Sequence, residues 1–130
     1  MGKGNGKRIP AAAYIRMSSD KQEASPEQQR KEILDLADRE GYRIIRWYMD
    51  EGVSGDATEK RSAFQQMIAD AEHGEFQAIL CWDQDRFGRF DSIEAGRWIY
   101  PLRQAGVRLV TVAQGAIDWN GFAGRMLFSI

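Results

Sequence analysis

Short apolar runs alternate along this chain with stretches in which apolar residues recur every three or four positions, and that alternation predicts its elements. The first run predicts a strand from about Pro10 to Met17. Ser25-Pro26-Glu27-Gln28 reads as a helix start, because serine caps, proline suits the first turn and Gln28 completes a capping box. That helix is expected to bury Ile33, Leu34 and Ala37 and to stop at Gly41. A second strand, Tyr42 to Met49, mixes Ile44, Ile45, Trp47 and Tyr48 with Arg43 and Arg46. A polar, glycine-bearing stretch from Asp50 to Glu59 follows. Ser62-Ala63-Phe64-Gln65 then reads as a second capping box, opening a helix with Phe64, Met67, Ile68 and Ala71 on one stripe and Gly74 at its end. The run from Phe76 to Trp82 is apolar apart from Gln77, which suits a strand covered on both faces in the middle of a parallel sheet. Asp91 or Ser92 caps a third helix with Ala95, Trp98, Ile99 and Leu102 inward, and Pro101 is expected to kink it or remove a bond. Gly106 ends that helix, a fourth strand runs from Val107 to Ala113, and Gln114 to Gly121 is expected to be a loop.

This order of elements argues for an α/β fold, a mostly parallel sheet with helices on both faces. In such folds ligands bind outside the carboxyl ends of the strands. Strand one brings Arg16 and Ser18 to that edge. Alternation puts Tyr14, Arg16 and Ser18 on one face and Ile15 and Met17 on the other. Strand two brings the polar loop and then Arg61, and strand three brings Asp83, Asp85, Arg86 and Arg89. Arginine is a permanently charged fork of donors matched to phosphate oxygens. Four of them around a hydroxyl suit phosphoryl transfer without a metal, with Ser18 as nucleophile and Asp85 or Asp83 moving a proton at the leaving oxygen. Blander readings stand beside this. Arg86 and Arg89 pair with Asp83, Asp85 or Asp91 within a loop, Arg61 is a solvated residue ahead of a helix, and Ser19 is the nucleophile in place of Ser18.

Bulk properties change the picture in three ways. The 130 residues suffice for one domain, and 43% hydrophobic with 28% charged residues is ordinary for a soluble fold. The net charge of −1 is not the footprint of a protein that holds nucleic acid by bulk charge, so any arginines that meet DNA must be focused locally. No apolar run is long enough to cross a bilayer and no signal peptide is visible. Cys81, the only cysteine, reads as a buried reduced thiol, consistent with a cytoplasmic location. His73 beside Gly74 reads as a helix C-terminal cap, and with one histidine and one distant cysteine no zinc site is expected. Residues 1–9 read as a flexible arm or cloning remnant, 10–120 as a catalytic domain, and 121–130 as the start of a truncated C-terminal helix.

Three ordered motifs resemble the serine recombinases, the family of resolvases, invertases and large serine integrases. Tyr14-x-Arg16-x-Ser18, followed by Gln22 and Gln29, resembles that family's opening motif. Asp50-Glu51-Gly52-Val53-Ser54-Gly55 resembles its flexible loop, and Asp85-Arg86-Phe87-Gly88-Arg89 its Asp-Arg-x-x-Arg signature. The resemblance implies a resolvase-like catalytic domain whose Ser18 attacks a DNA phosphodiester to form a 5′-phosphoserine link, with no metal, ATP or other cofactor. It implies that Arg16, Arg61, Arg86 and Arg89 bind phosphate and that Asp85 transfers a proton or orients an arginine. Tyr14, Gln22, Gln29 and Ser54 would support the site. It also implies DNA as partner, a homodimer and a synaptic homotetramer in the full-length protein, and a prokaryotic or mobile-element origin. The fragment alone is expected to be a monomer or weak dimer. Asp118-Trp119-Asn120 departs from the family's small polar residues at that place. The rival readings are a non-catalytic, flavodoxin-like phosphate- or nucleotide-binding module and a metal-dependent nuclease using Asp83 and Asp85.

Overall fold

The computed structural model describes residues 7–17, 24–52 and 58–119. Five strands form one sheet in the order β2-β1-β3-β4-β5. They are β1 (Ile9–Met17), β2 (Tyr42–Glu51), β3 (Ala78–Cys81), β4 (Arg108–Thr111) and β5 (Gly115–Ile117). The first four run parallel and β5 is antiparallel to β4. The helices are α1 (Pro26–Glu40), α2 (Ser62–Glu72), the single turn α3 (Gln84–Phe87) and α4 (Ser92–Gln104), with a 3-10 turn at Thr58–Lys60. The expected α/β architecture is therefore present.

Alternation along β1 builds two cores. Ala11, Ala13 and Ile15 pack with Ile33, Leu36 and Ala37 of α1 on one face. Ala12 and Tyr14 pack with Phe64, Met67 and Ile68 of α2 and Ala95, Ile99 and Leu102 of α4 on the other. Phe64 is the hub of the second core, its ring within 6 Å of those of Tyr14, Phe87, Phe90 and Trp98. Those contacts draw β1, α3 and α4 against α2. All four residues of β3, the central strand, are fully buried, as its apolar run predicts.

Several expectations give way to longer-range contacts. Ser25 caps α1 as expected, accepting the Gln28 N–H at 3.1 Å, and Gly41 ends the helix with φ of 86°. Leu34, however, is 48% exposed and Leu36 takes its place, because the inner stripe runs through Gln29, Ile33, Leu36 and Ala37. The second capping box does not form: Arg61 occupies the cap position of α2 and makes no side-chain cap bond. The carboxylate of Asp50 supplies the cap from the end of β2, accepting the N–H groups of Ala63 and Phe64 at 3.0 Å each. Asp91 caps α4 through Glu94 N–H, and the helix continues through Pro101 to Gln104. Strands three and four are shorter than their apolar runs. Within the expected loop after β4, Gly115, at φ of 76°, turns the chain back to form β5.

Strand β2 carries a bulge. Ala11 pairs with Ile44 but Ala12 pairs with Arg46, so Ile45 is an extra residue. Ile44 before the bulge and Trp47 after it both lie on the α1 face, while Tyr48 packs on the face of Tyr14. The final register places Asp50 beside Arg16.

Candidate active site

The carboxyl edge of β1, β2 and β3 carries a compact set of charged groups. Arg16, the penultimate residue of β1, is 3% exposed. Its Nε donates to the Arg86 carbonyl at 3.1 Å and its Nη2 to the Asp85 carbonyl at 2.8 Å. Burial, and then the charge of Arg61, pull its pKa below the usual arginine value. Arg61 is fully buried, which overturns the reading of a solvated residue ahead of a helix. Its Nε donates to Tyr14 Oη at 3.1 Å, and its Nη2 to the carbonyls of Arg86 and Phe87. The guanidinium also lies 4.0 Å over the Phe64 ring and 5.3 Å over that of Tyr14, a cation–π seat that offsets part of its desolvation.

Tyr14 links this arginine to an acid. Its hydroxyl accepts from Arg61 and donates to Asp50 Oδ2 at 2.7 Å. Burial pushes the Tyr14 pKa well above the ordinary tyrosine value, so it stays a neutral donor. Asp50 was not among the expected site residues, yet one carboxylate both caps α2 and holds Tyr14. Its sequence signal is an acid at the end of an apolar run, where β2 gives way to the polar loop, and the structure puts it in register with Arg16. Gly88 closes the back of the site at φ of 145°, where a Cβ would lie 2.6 Å from both Arg61 Nη1 and Phe90 Cζ. Only glycine combines that backbone with that approach.

The turn α3 presents the remaining charges. Asp83 accepts the Arg86 N–H at 2.8 Å and so caps the turn. Asp85 Oδ1 lies 3.2 Å from Arg89 Nη1, and its Oδ2 lies 3.7 Å from Arg86 Nη1. Arg86 and Arg89 thus pair with acids of their own turn, while Asp91 is spent on capping α4. Arg89 is the exposed member of the four arginines, with its side chain 49% accessible. Among the described residues no three His, Cys, Asp or Glu side chains gather as a metal-binding group.

Other expected residues lie apart. Gln29 is fully buried on the α1 face, its Nε2 donating to the Ala24 carbonyl and lying 3.0 Å from Met17 Sδ. It is therefore across the sheet from Arg16, and among the described residues its Oε1 has no hydrogen-bond partner. Ser18, Ser19, Gln22 and Ser54, like the apolar segment after Gly121, lie outside the described residues. His73 ends α2, its Nδ1 2.9 Å from the Ala69 carbonyl, and Cys81 is a fully buried thiol whose pKa burial raises. No described helix is long and apolar enough to cross a membrane.

A family model described as "Resolvase, N terminal domain" matches residues 11–130. Among solved structures, the chain is similar to a resolvase family site-specific recombinase from Streptococcus pneumoniae, at 25% identity and a TM-score of 0.71, over 92% of this chain and 83% of that one. It is also similar to the C-terminal catalytic domain of ISC1926 TnpA, an IS607-like serine recombinase, at 25% identity and a TM-score of 0.67, over 80% and 70% of the two chains. The N-terminal catalytic domain of TP901-1 integrase shares the fold, at 24% identity and a TM-score of 0.69, over 82% and 78%. No curated protein matches the chain.

Proposed function

Since this chain belongs to the resolvase N-terminal domain family and is the catalytic domain of a site-specific serine recombinase, we propose that it cuts and rejoins DNA through Ser18. The observation that carries this reading is the pair of guanidiniums, Arg16 and Arg61, gathered by Tyr14 and α3 at the sheet edge. Ser18 directly follows β1 in the sequence, two positions after Arg16, and continued alternation would give it the face of Arg16.

In the proposed step the Ser18 hydroxyl loses its proton and its oxygen bonds to phosphorus. The bond from phosphorus to the 3′-oxygen breaks, and that oxygen takes up a proton. The products are a 5′-phosphoserine link and a free 3′-hydroxyl, and rejoining is the reverse. The phosphoester is kept throughout, so no ATP is needed, and arginines would take the charge-neutralising part that a metal plays elsewhere. Arg16, Arg61, Arg86 and Arg89 neutralise the charge that grows on the phosphoryl oxygens. Arg16 and Arg61 now donate to neutral carbonyls of α3, and phosphate oxygens are stronger acceptors for a guanidinium than those carbonyls. DNA would therefore displace the α3 carbonyls from the arginines. Asp85, between Arg86 and Arg89, orients both. Gln22 and Ser54 support the substrate, and strands exchange within a homotetramer of the full-length recombinase. With a net charge of −1, this domain does not hold DNA by bulk charge, so its arginines would meet phosphate locally.

A covalent trap tests the reading. The full-length recombinase is incubated with DNA flanking its own gene, without added metal, then denatured and analysed by mass spectrometry. An adduct on Ser18 is expected, and Ser18→Ala should lose the adduct while retaining DNA binding. An adduct on Ser19 would move the nucleophile by one residue, and cleavage by Ser18→Ala would remove Ser18 from the role.

A further inference from the structure

The turn that holds both buried arginines is itself held by the segment after β4. Gln114 stands in the β4–β5 turn. Its N–H donates to Thr111 Oγ1 at 2.8 Å, and the Thr111 hydroxyl donates back to Gln114 Oε1 at 2.8 Å. Thr111 is fully buried, so the pair is anchored in the sheet. The same Oε1 accepts the N–H of Gln84, the first residue of α3, at 3.1 Å. One amide oxygen thus serves two donors, its full capacity. At the other end of α3 the Trp119 ring sits 6.0 Å from that of Phe87, and its indole N–H donates to the Val107 carbonyl. The residues that depart from the family pattern near Trp119 therefore include one that packs on this turn.

A helix of four residues cannot hold itself, since one turn of hydrogen bonds does not repay the ordering of its backbone. Yet the carbonyls of Asp85, Arg86 and Phe87 receive Arg16 and Arg61, so their positions set where both guanidiniums lie. We propose that Gln114 is a positioning residue: by gripping the start of α3 from the β4–β5 hairpin, it fixes the carbonyls that seat Arg16 and Arg61. Trp119 is the apolar half of the same clamp. The relevance of this to catalysis rests on the phosphate-binding reading of those arginines, but the test reads the arginines directly. A failed covalent trap would leave its outcome untouched, and its failure would leave the nucleophile assignment standing.

The experiment measures the arginine Nε–H resonances of this chain and their exchange with solvent by nitrogen-15 NMR. Gln114 is exposed in a surface turn, so its substitution leaves the core intact. Gln114→Met keeps the length of the side chain and removes the acceptor. Arg16 and Arg61 Nε signals are expected to shift, with exchange of the Arg16 Nε–H, which donates to the Arg86 carbonyl of α3, accelerating about tenfold, the factor set by losing roughly one hydrogen bond. Gln114→Glu keeps an oxygen for both donors and should restore the original signals. The proposal is overturned if Gln114→Met leaves the signals and exchange of both arginines unchanged. It is also overturned if Gln114→Glu behaves like Gln114→Met, or if all core amides accelerate equally, since either result denotes general loosening.

Discussion

Replacing Asp50 with alanine should be among the most damaging single changes to this domain, although aspartate is an ordinary surface residue. Its carboxylate, in a residue only 6% exposed, accepts three hydrogen bonds: from Tyr14 Oη at 2.7 Å and from the Ala63 and Phe64 N–H groups at 3.0 Å. Asp50→Ala strands all three donors, two of them on the fully buried Tyr14 and Phe64. Bonds to a charged acceptor contribute about 1.5–3 kcal/mol each, but three sharing one group do not add fully, so a loss of about 4 kcal/mol is expected. With a urea m-value of about 2 kcal/mol/M, the unfolding midpoint should fall by about 2 M. Asp91→Ala is the control. Asp91 is an exposed cap on one N–H group of α4, and its loss should cost only about 1 kcal/mol, or about 0.5 M. Asp50→Asn, which keeps one acceptor oxygen, should fall between the two. Combining Asp50→Ala with Tyr14→Phe should cost less than the sum of the two, because the second change removes a donor the first has already stranded. Urea titrations followed by tryptophan fluorescence would decide it. Equal midpoint shifts for Asp50→Ala and Asp91→Ala would refute the reasoning.

Two further outcomes follow from the same site and its neighbour. Gly88→Ala must either leave the φ of 145° or push Arg61 and Phe90 aside. It should cost about 2–4 kcal/mol by thermal unfolding and shift the Arg61 Nε–H resonance, and a variant as stable as the parent would contradict the close approach. Tyr48 has its pKa pushed up to about 12 by burial and by donating to Asp70 at 2.6 Å. An unfolded tyrosine ionises near pH 10, before the folded one. The stability Tyr48 contributes is therefore intact below about pH 10 and is lost as pH rises through about 12. Urea midpoints measured across that range should fall less steeply for Tyr48→Phe, leaving the slope that belongs to Tyr14, and parallel slopes would sink the argument.

Much of this was legible in the chain because it rested on local pattern. The apolar runs, Pro26 after Ser25 and the stripe of α2 reflect periods of two and 3.6 residues, and they placed Arg16, Arg61 and the Asp85 turn at one edge. What was illegible depended on partners distant in sequence. Ser62 has the right chemistry for a cap, but Asp50, bonded to both Tyr14 and α2, supplies the cap from β2. A solvated Arg61 stayed open as a rival reading because nothing local shows that a guanidinium can be seated on Phe64 and met by the carbonyls of another element. Leu34 and Leu36 differ by a rotation about α1 that composition cannot fix. Strand β5 has only three residues, too few for a periodic signal.

The extra residue in β2 makes the bulge itself a carrier of information. Were the bulge closed with Ile45 kept in the ladder, the β1 partners beyond Ala11 would slide by one. Arg16 would then face Met49 and the acid would pass beyond it, while Tyr48 and Trp47 would exchange sides. Substitutions along β2 should therefore be felt one residue at a time, whereas closing the bulge without changing the residue count would interchange the two faces of its entire second half. Ile45 is accordingly the one position within the paired run of β2 whose deletion would leave the β1 partner of every other residue in place.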